Sequence, residues 1–284
     1  MKRHFVFRLV WRCANVMLVV AVILSLYAGV REYSVRRYLD GFSDAIVPDS
    51  LSEEQRLEAI LEWMRVAPSR AIAADSDLLP KRDPETTLIY SQLLKVCGTA
   101  TNAFLNLARS SDLRARRLLL LTPDQITRHV VAEVFIGGRW IIVDPTYRVI
   151  MRDAAEHYLT RTELQDPAVF SQAVSAFPNY PREYTYDHVA HVRLARLGFA
   201  GVQLRRLFAA LVPDWEEAID WSLLLERESF FYLALSVVAM LLLMLVRLVL
   251  ARYADSHLGI RRFHLREHVL SAGVAFFSTP EIKQ

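Results

Sequence analysis

Three residue types that together perform thiol-based catalysis occur in order between Val96 and Tyr147. Cys97 begins an apolar-periodic helix, His129 begins a strand, and Asp144 ends the next strand. A cysteine attacks a carbonyl carbon once a histidine has taken its proton, and a carboxylate orients that histidine. Each residue alone also has an ordinary role, as a buried small hydrophobe, a strand histidine and a turn-former before Pro145. The set as a whole predicts a thiol nucleophile with an oriented base.

The nucleophile candidate lies in the first turn of a predicted helix that runs to about Ser110. Apolar and small side chains recur there at helical spacing, at Val96, Ala100, Ala103, Phe104, Leu107 and Ala108. The helix dipole and the exposed N–H groups of a first turn favour a thiolate and lower the pKa of a cysteine there. The Cys97 backbone N–H is the expected first oxyanion donor. Gln92 is a weaker candidate for the second, because a helix-surface amide is its ordinary role.

The base and its orienter are predicted to lie on a β-hairpin. Ala115–Thr122 reads as one strand, and two more, Arg128–Ile136 and Arg139–Asp144, are joined by Gly137-Gly138. A two-residue glycine loop is a strong hairpin signal. It fixes the register, so that Phe135 pairs with Trp140, Glu133 with Ile142 and Val131 with Asp144.

This register places His129 and Asp144 on one face of the sheet. Side chains alternate between faces, and the two residues become diagonal neighbours across the pair of strands. Diagonal Cβ atoms lie about 7 Å apart or less, within reach of an imidazole–carboxylate hydrogen bond. Trp140 shares the face and is expected to pack beside the site or to line its groove. Glu133 shares it too, either as an acid supporting the site or on an exposed edge.

These residues, with the closing run GGRWIIVDPTY, resemble the transglutaminase-like superfamily over roughly Leu88 to Arg148. The resemblance implies an α+β fold with a papain-like core, in which N-terminal helices pack on an antiparallel sheet. It assigns Cys97 as nucleophile, His129 as base and Asp144 as orienter. Two departures concern the substrate groove: Lys95-Val96 stands where the family often has glycine, and Val131 where it often has an aromatic residue.

Two uncharged apolar windows, Cys13–Val30 and Ser229–Val246, predict transmembrane helices that flank this core. Each spans roughly 27 Å, enough for the hydrocarbon layer. A cleaved signal peptide ending near Leu26-Tyr-Ala28 is an alternative for the first window, and a buried core helix is one for either.

Charge predicts the orientation of these spans. The two chain ends outside the windows carry ten basic and three acidic residues. The whole chain has 34 basic and 31 acidic residues, so the middle holds 24 basic and 28 acidic ones. Basic ends around an acidic middle follow the positive-inside pattern. We therefore expect both termini in the cytoplasm and the middle outside an inner membrane of bacterial type, in the periplasm, and no nucleic-acid partner.

The sequence divides accordingly into a cytoplasmic N-terminus (1–12), a span (13–30), a helical lead-in (31–85), a catalytic core (86–150), a helical extension (151–228), a span (229–250) and a cytoplasmic tail (251–284).

The expected function is amide-bond chemistry on peptide, protein or cell-wall material, with water or an amine as acceptor. The analogy with anchored family members extends to surface-polysaccharide biology. The alternative is an idle transglutaminase-like domain that serves as a binding module or scaffold for membrane proteins. No cofactor is expected, and no metal: His188-x-x-His191, on a predicted helix, has no third ligand at a recognisable spacing.

Overall fold

The computed structural model describes residues 2–66, 84–88, 93, 96–193, 198–212, 215–218 and 220–258. The fold is α+β, with helices packed on an antiparallel sheet. Two compact units divide the chain, one formed by Met1–Leu26 with Leu235–Gln284 and the other by Tyr27–Ala234. The elements run in the order α1 Lys2–Ile46, α2 Glu53–Val66, α3 Pro84–Thr87, α4 Cys97–Ser110, β1 Ala115–Leu121, β2 Thr127–Ile136, β3 Arg139–Asp144, β4 Val149–Ile150, a 3-10 turn Glu163–Gln165, α5 Pro167–Ala173, β5 Val189–Ala190, α6 Gly198–Leu211, α7 Trp215–Ala218, α8 Trp221–Glu226 and α9 Glu228–His257.

The two predicted spans lie within α1 and α9, which are long and apolar enough to cross a membrane. The apolar window of α9 is 0% buried, whereas a core helix of a soluble protein is mostly buried. Both helices run beyond the apolar windows because the flanking charged residues are compatible with helix, and α1 stops only before Pro48. In the unit formed by Met1–Leu26 with Leu235–Gln284, the buried side chains of the described residues are small ones, namely Ala14, Ala21, Ala251 and Ala254. Small side chains allow two helix backbones to approach closely.

The helix α2 begins and packs as its sequence predicts. Ser52 N donates to Gln55 Oε1 over 3.1 Å, and Gln55 N donates to Ser52 Oγ over 3.3 Å, which completes a capping box. The apolar stripe of α2 is buried, at Leu57, Ile60, Leu61 and Met64. This stripe joins the core formed by α4 and one face of the sheet.

The five strands lie in the order β4-β3-β2-β1-β5, and every neighbouring pair is antiparallel. The predicted hairpin register is confirmed, with Phe135 opposite Trp140 and Glu133 opposite Ile142. Gly137 and Gly138 have φ of +57° and +80°, the left-handed backbone that a tight hairpin turn requires and that glycine adopts without strain.

The two faces of the sheet carry different cores. Ala132, Val134, Ile141 and Val143 face the layer that contains α4. The opposite face carries Val131 and Ile142, covered by side chains from the segment after β3, namely Leu159, Leu164, Phe170, Tyr180 and Tyr186.

The helical extension expected over residues 151–228 is wrong in its first part. Residues 151–193 contain turns, the strand β5, a 3-10 turn and the seven-residue α5, and helices dominate only from Gly198 onward. Pro178 and Pro181 restrict this segment to extended and turn conformations. The apolar side chains of residues 151–193 cover the sheet although most of this backbone is irregular. Their spacing in the sequence therefore does not have to follow the period of a helix.

Candidate active site

Cys97 is the first residue of α4, and Val96 caps the helix in extended conformation, with φ −142° and ψ 162°. The Val96 N–H donates to Thr99 Oγ1 over 3.2 Å, which holds the entry to the helix. Cys97 is half-buried and packs against the small cluster formed by Leu119, Leu121 and Val130. The position at a helix N-terminus, beside the sheet, favours the thiolate form.

His129 lies on β2 with its side chain 1% exposed, and its Nε2 is 2.7 Å from Oδ2 of Asp144. The hydrogen bond that the hairpin register predicts is therefore present. The Cys97 side chain also hydrogen-bonds to His129. Because Nε2 is engaged by Asp144, the nitrogen left for the thiol is Nδ1. The imidazole thus connects the sulfur to the carboxylate.

The charge balance around His129 favours its protonated form. Burial lowers the pKa of the imidazole, but Asp144 and then Cys97 outweigh burial and raise this pKa to about 9. A carboxylate on one ring nitrogen and a sulfur on the other both stabilise the imidazolium. The geometry therefore suits a thiolate–imidazolium pair.

A β-bulge directly before His129 helps to aim it. Leu120 pairs with His129 but Leu121 pairs with Thr127, so Arg128 is the extra residue of β2. Bulges bend a strand and redirect a side chain, and they are frequent beside active sites. Nothing in the residue pattern predicts this bulge.

Asp144 is fully buried at the end of β3, and it accepts four hydrogen bonds. Oδ2 accepts from His129 and from the Tyr180 hydroxyl, at 2.7 and 2.9 Å. Oδ1 accepts from the backbone N–H groups of Thr146 and Tyr147, at 3.0 and 3.3 Å. Pro145 has no N–H, so the turn presents the next two donors. The two oxygens of a carboxylate have enough lone pairs to accept all four hydrogen bonds.

Tyrosines beyond the hairpin complete the surroundings of His129, and no residue pattern predicts them at the site. The ring of Tyr184 stacks on the imidazole, with centroids 4.4 Å apart and planes 11° apart. Tyr147 lies 5.9 Å away and tilted. Burial raises the pKa of Tyr180 well above its ordinary value, so Tyr180 remains a donor to Asp144. The only available signal is the aromatic composition of residues 178–188, since the contact of this segment with His129 is long-range.

The two weaker site predictions fare differently. Gln92 lies outside the described residues. Trp140 is not beside the triad: it packs on Phe135 at the hairpin end, with ring centroids 5.3 Å apart, beneath the Arg116 guanidinium at 4.1 Å. Trp140 pairs with a residue six positions from His129, which is about 20 Å along a strand.

Glu133 is buried and ion-paired, so it does not lie on an exposed edge. Its Oε2 accepts from Arg116 Nε over 2.6 Å and lies 2.9 Å from His191 Nε2. Burial raises the pKa of Glu133, but His191 and Arg116 outweigh burial and hold this pKa below its usual value. His188 and His191 flank the strand β5 and do not lie on the expected helix. Among the described residues, no group of three His, Cys, Asp or Glu side chains could hold a metal ion.

Comparison with known proteins gives one result. The family model of the transglutaminase-like superfamily matches residues 40–145, which include Cys97, His129 and Asp144. The match begins within α1, earlier than the resemblance read from the sequence, and it ends before Tyr180 and Tyr184. Neither the curated proteins nor the solved structures give a match.

Proposed function

We propose that this chain, whose residues 40–145 belong to the transglutaminase-like superfamily, is a thiol enzyme that acts on amide bonds through an acyl-enzyme on Cys97. One observation carries the proposal: the buried imidazole of His129 hydrogen-bonds to Cys97 and, through Nε2, to Asp144. A nucleophile, a base and a group that orients the base are the parts that covalent thiol catalysis requires.

In the proposed reaction, His129 takes the Cys97 thiol proton and the thiolate attacks the amide carbonyl carbon. The C–N bond then breaks, and the leaving amine takes the proton from the imidazolium. The product is a thioester on Cys97. Water or a second amine attacks this thioester, giving hydrolysis or acyl transfer and restoring the thiol.

Two groups would assist these steps. Asp144 would fix the imidazole tautomer and stabilise its charged form, since its four hydrogen bonds hold the carboxylate in place. The backbone N–H of Cys97, in the first turn of α4, is the oxyanion donor that we propose. Gln92 stays a prediction for the second donor.

We further propose that α1 and α9 anchor the domain in the cytoplasmic membrane, with both termini in the cytoplasm. Two apolar helices near the chain ends and the basic residues around them support this placement. The lipid bilayer would then be a partner, and the substrate would be periplasmic peptide, protein or cell-wall material.

The activity of the thiol is tested by its rate of alkylation. The full-length chain in detergent carries Cys13→Ser, because Cys13 is exposed and would also react. Iodoacetamide at neutral pH should label Cys97 rapidly. His129→Ala should slow labelling roughly 100-fold, which is the lower end of the rate enhancement that a positioned general base provides. The variant that also lacks Cys97 gives the background. Equal rates of Cys97 alkylation with and without His129 would contradict the enzyme proposal and favour the idle binding module.

The substrate is then sought by trapping. Membranes that hold the Cys13→Ser chain are searched for material bound to Cys97 through a thioester, and the Cys97→Ser variant serves as control. Material held as a thioester only by the Cys97 protein identifies the acyl donor. Failure of any donor to form a thioester, despite rapid alkylation, would contradict acyl transfer.

A further inference from the structure

The imidazole of His129 is held by two contacts of different kinds. Its Nε2 bonds to Asp144 over 2.7 Å, and the ring of Tyr184 stacks on it at 4.4 Å. The interplanar angle of 11° makes the two rings nearly parallel. Tyr184 comes from outside the matched family segment, on the irregular chain that precedes β5.

One hydrogen bond does not fix the plane of an imidazole. The χ2 torsion of histidine has broad wells, so the ring can tilt while Nε2 stays within reach of the carboxylate. Such a tilt moves the opposite nitrogen, which must meet the Cys97 sulfur for proton transfer. Stacking restrains that motion, because a parallel aromatic ring makes van der Waals contact over its whole face.

Tyr184 is itself held in place by the turn that carries Asp144. Its side chain hydrogen-bonds to Tyr147. The Tyr147 backbone N–H donates to Asp144 Oδ1 over 3.3 Å. Tyr180, which donates to the other carboxylate oxygen, packs edge-on against Tyr184 with centroids 5.9 Å apart. The stacked ring is therefore fixed relative to the orienting carboxylate.

We propose that Tyr184 is a positioning residue that sets the plane of the His129 imidazole and so aims Nδ1 at Cys97. The inference rests on the proposed function, since it concerns how the base reaches the thiol. Tyr184 acts through its ring and through His129, with no proton transfer of its own. A flat aromatic ring is the property required at position 184.

The test measures iodoacetamide labelling of Cys97 in the full-length Cys13→Ser chain. Tyr184→Ala should slow labelling by roughly tenfold, because a misplaced base loses part of the ~100-fold that a positioned one contributes. Tyr184→Phe and Tyr184→Trp keep a stacking ring and should stay within about twofold of the parent, by the same reasoning. Phe177→Ala is the matched control, an aromatic truncation in the same irregular segment, and it should leave the rate unchanged.

A double-mutant cycle separates positioning from a general structural effect. In the His129→Ala background, Tyr184→Ala should cause no further loss, because the two residues act as one unit. Equal losses in both backgrounds would overturn the proposal, as would faster labelling in Tyr184→Ala, which would make the ring a steric cover. If His129→Ala alone has no effect on the parent, the proposed function fails, which is a different result from failure at Tyr184.

Discussion

The Tyr180 hydroxyl donates to Oδ2 of Asp144 over 2.9 Å, the same oxygen that lies 2.7 Å from His129 Nε2. Two donors therefore share one carboxylate oxygen, and both are buried. Because Tyr180 draws part of the negative charge, it weakens the hold of Asp144 on the imidazolium. The strength of the base thus depends on a tyrosine 36 residues beyond the carboxylate.

Removal of that hydroxyl by Tyr180→Phe should raise the pKa of His129 further, since Asp144 would then interact with the imidazolium alone. It should also reduce the free energy of unfolding by about 1.5–3 kcal/mol, the range for a hydrogen bond to a charged group. NMR titration of the His129 ring and thermal unfolding in detergent measure the two effects. Tyr158→Phe, at the Arg152–Tyr158 bridge, is the control. An unchanged or lower pKa in Tyr180→Phe would contradict the shared-charge account.

The raised pKa of His129 predicts a specific pH dependence of stability. Burial lowers this pKa, but Asp144 and then Cys97 raise it to about 9, against about 6.5 in the unfolded chain. The folded state therefore binds the proton more tightly, and the stabilisation is complete below pH 6.5 and lost as the pH rises towards 9. To isolate the imidazole, Cys97→Ser and Cys97→Ser/His129→Ala are compared by thermal unfolding from pH 6 to pH 10.

The difference between these two proteins should shrink through the alkaline part of that range. Cys97 is a smaller cause of the raised pKa than Asp144, so the serine background lowers the upper limit of the window only slightly. A difference that stays constant from pH 6 to pH 10 would mean that His129 is not held as the cation.

Local sequence signals were sufficient to predict half of this site. The hairpin register follows from two glycines and from strand alternation, and it brings His129 to Asp144 without tertiary information. The position of Cys97 follows likewise from the helical period of α4.

Other features depend on contacts between residues that are distant in sequence. The periodicity of apolar residues along a helix or strand does not predict such contacts. Tyr184 meets His129 across 55 residues of chain, most of them irregular. The bulge at Arg128 arises from how β1 and β2 fit together, and the two-residue β5 is too short to leave a pattern. Trp140 was misplaced because sharing a face of the sheet does not mean lying near the triad along the strand.

Glu133 should matter for stability and not for the thiol chemistry. Glu133→Gln removes the nearer of the two acids beside the buried Arg116 guanidinium, while Glu217 stays 4.0 Å from it. The loss should therefore reach at most the roughly 3–5 kcal/mol that is typical of breaking a buried ion pair. His191 and Arg116 outweigh burial and hold the pKa of Glu133 below its usual value, so the wild-type contribution is present above about pH 4.5 and lost as the pH falls further.

The check combines thermal unfolding with iodoacetamide labelling of the folded fraction. The unfolding midpoint of Glu133→Gln should fall, while the Cys97 labelling rate of folded protein should equal that of the parent. Slow labelling of a fully folded Glu133→Gln protein would place this carboxylate in the active-site machinery after all.

The orientation in the membrane is tested by a matched pair of reporter fusions. A reporter that is active only in the cytoplasm should work when fused after Gln284, since basic residues flank both apolar helices on the chain-end side. The same reporter fused after Glu226, with α9 removed, should be silent, because it would then follow the translocated domain. The opposite result in either fusion would reverse or remove the proposed two-pass topology.

A buried ion pair next to the start of α9 should stabilise the unit that holds the triad. Arg227 donates from Nη1 to Glu32 Oε1 over 3.0 Å, and from Nε and Nη2 to Asn106 Oδ1 over 3.1 and 3.0 Å. Ser229 donates to the second Glu32 oxygen over 2.7 Å. One guanidinium thus connects α1 to α4, the helix that carries Cys97, beside the start of α9.

Glu32→Gln should destabilise this unit by about 3–5 kcal/mol, because it leaves the buried Arg227 guanidinium without its carboxylate partner. Arg227→Met should cost less, because Arg36 Nε still pairs with Glu32 Oε1 at 2.8 Å. The double variant should lose less than the sum of the two, by roughly 0.5–3 kcal/mol of coupling. Glu62→Gln is the matched control: Glu62 is 67% exposed and pairs with Arg65, and surface pairs contribute about 0–1 kcal/mol. Thermal unfolding in detergent is measured for the parent and all four variants. Strictly additive losses would show that Arg227 and Glu32 stabilise the unit independently, and a loss at Glu62→Gln as large as at Glu32→Gln would show that burial of the pair is irrelevant.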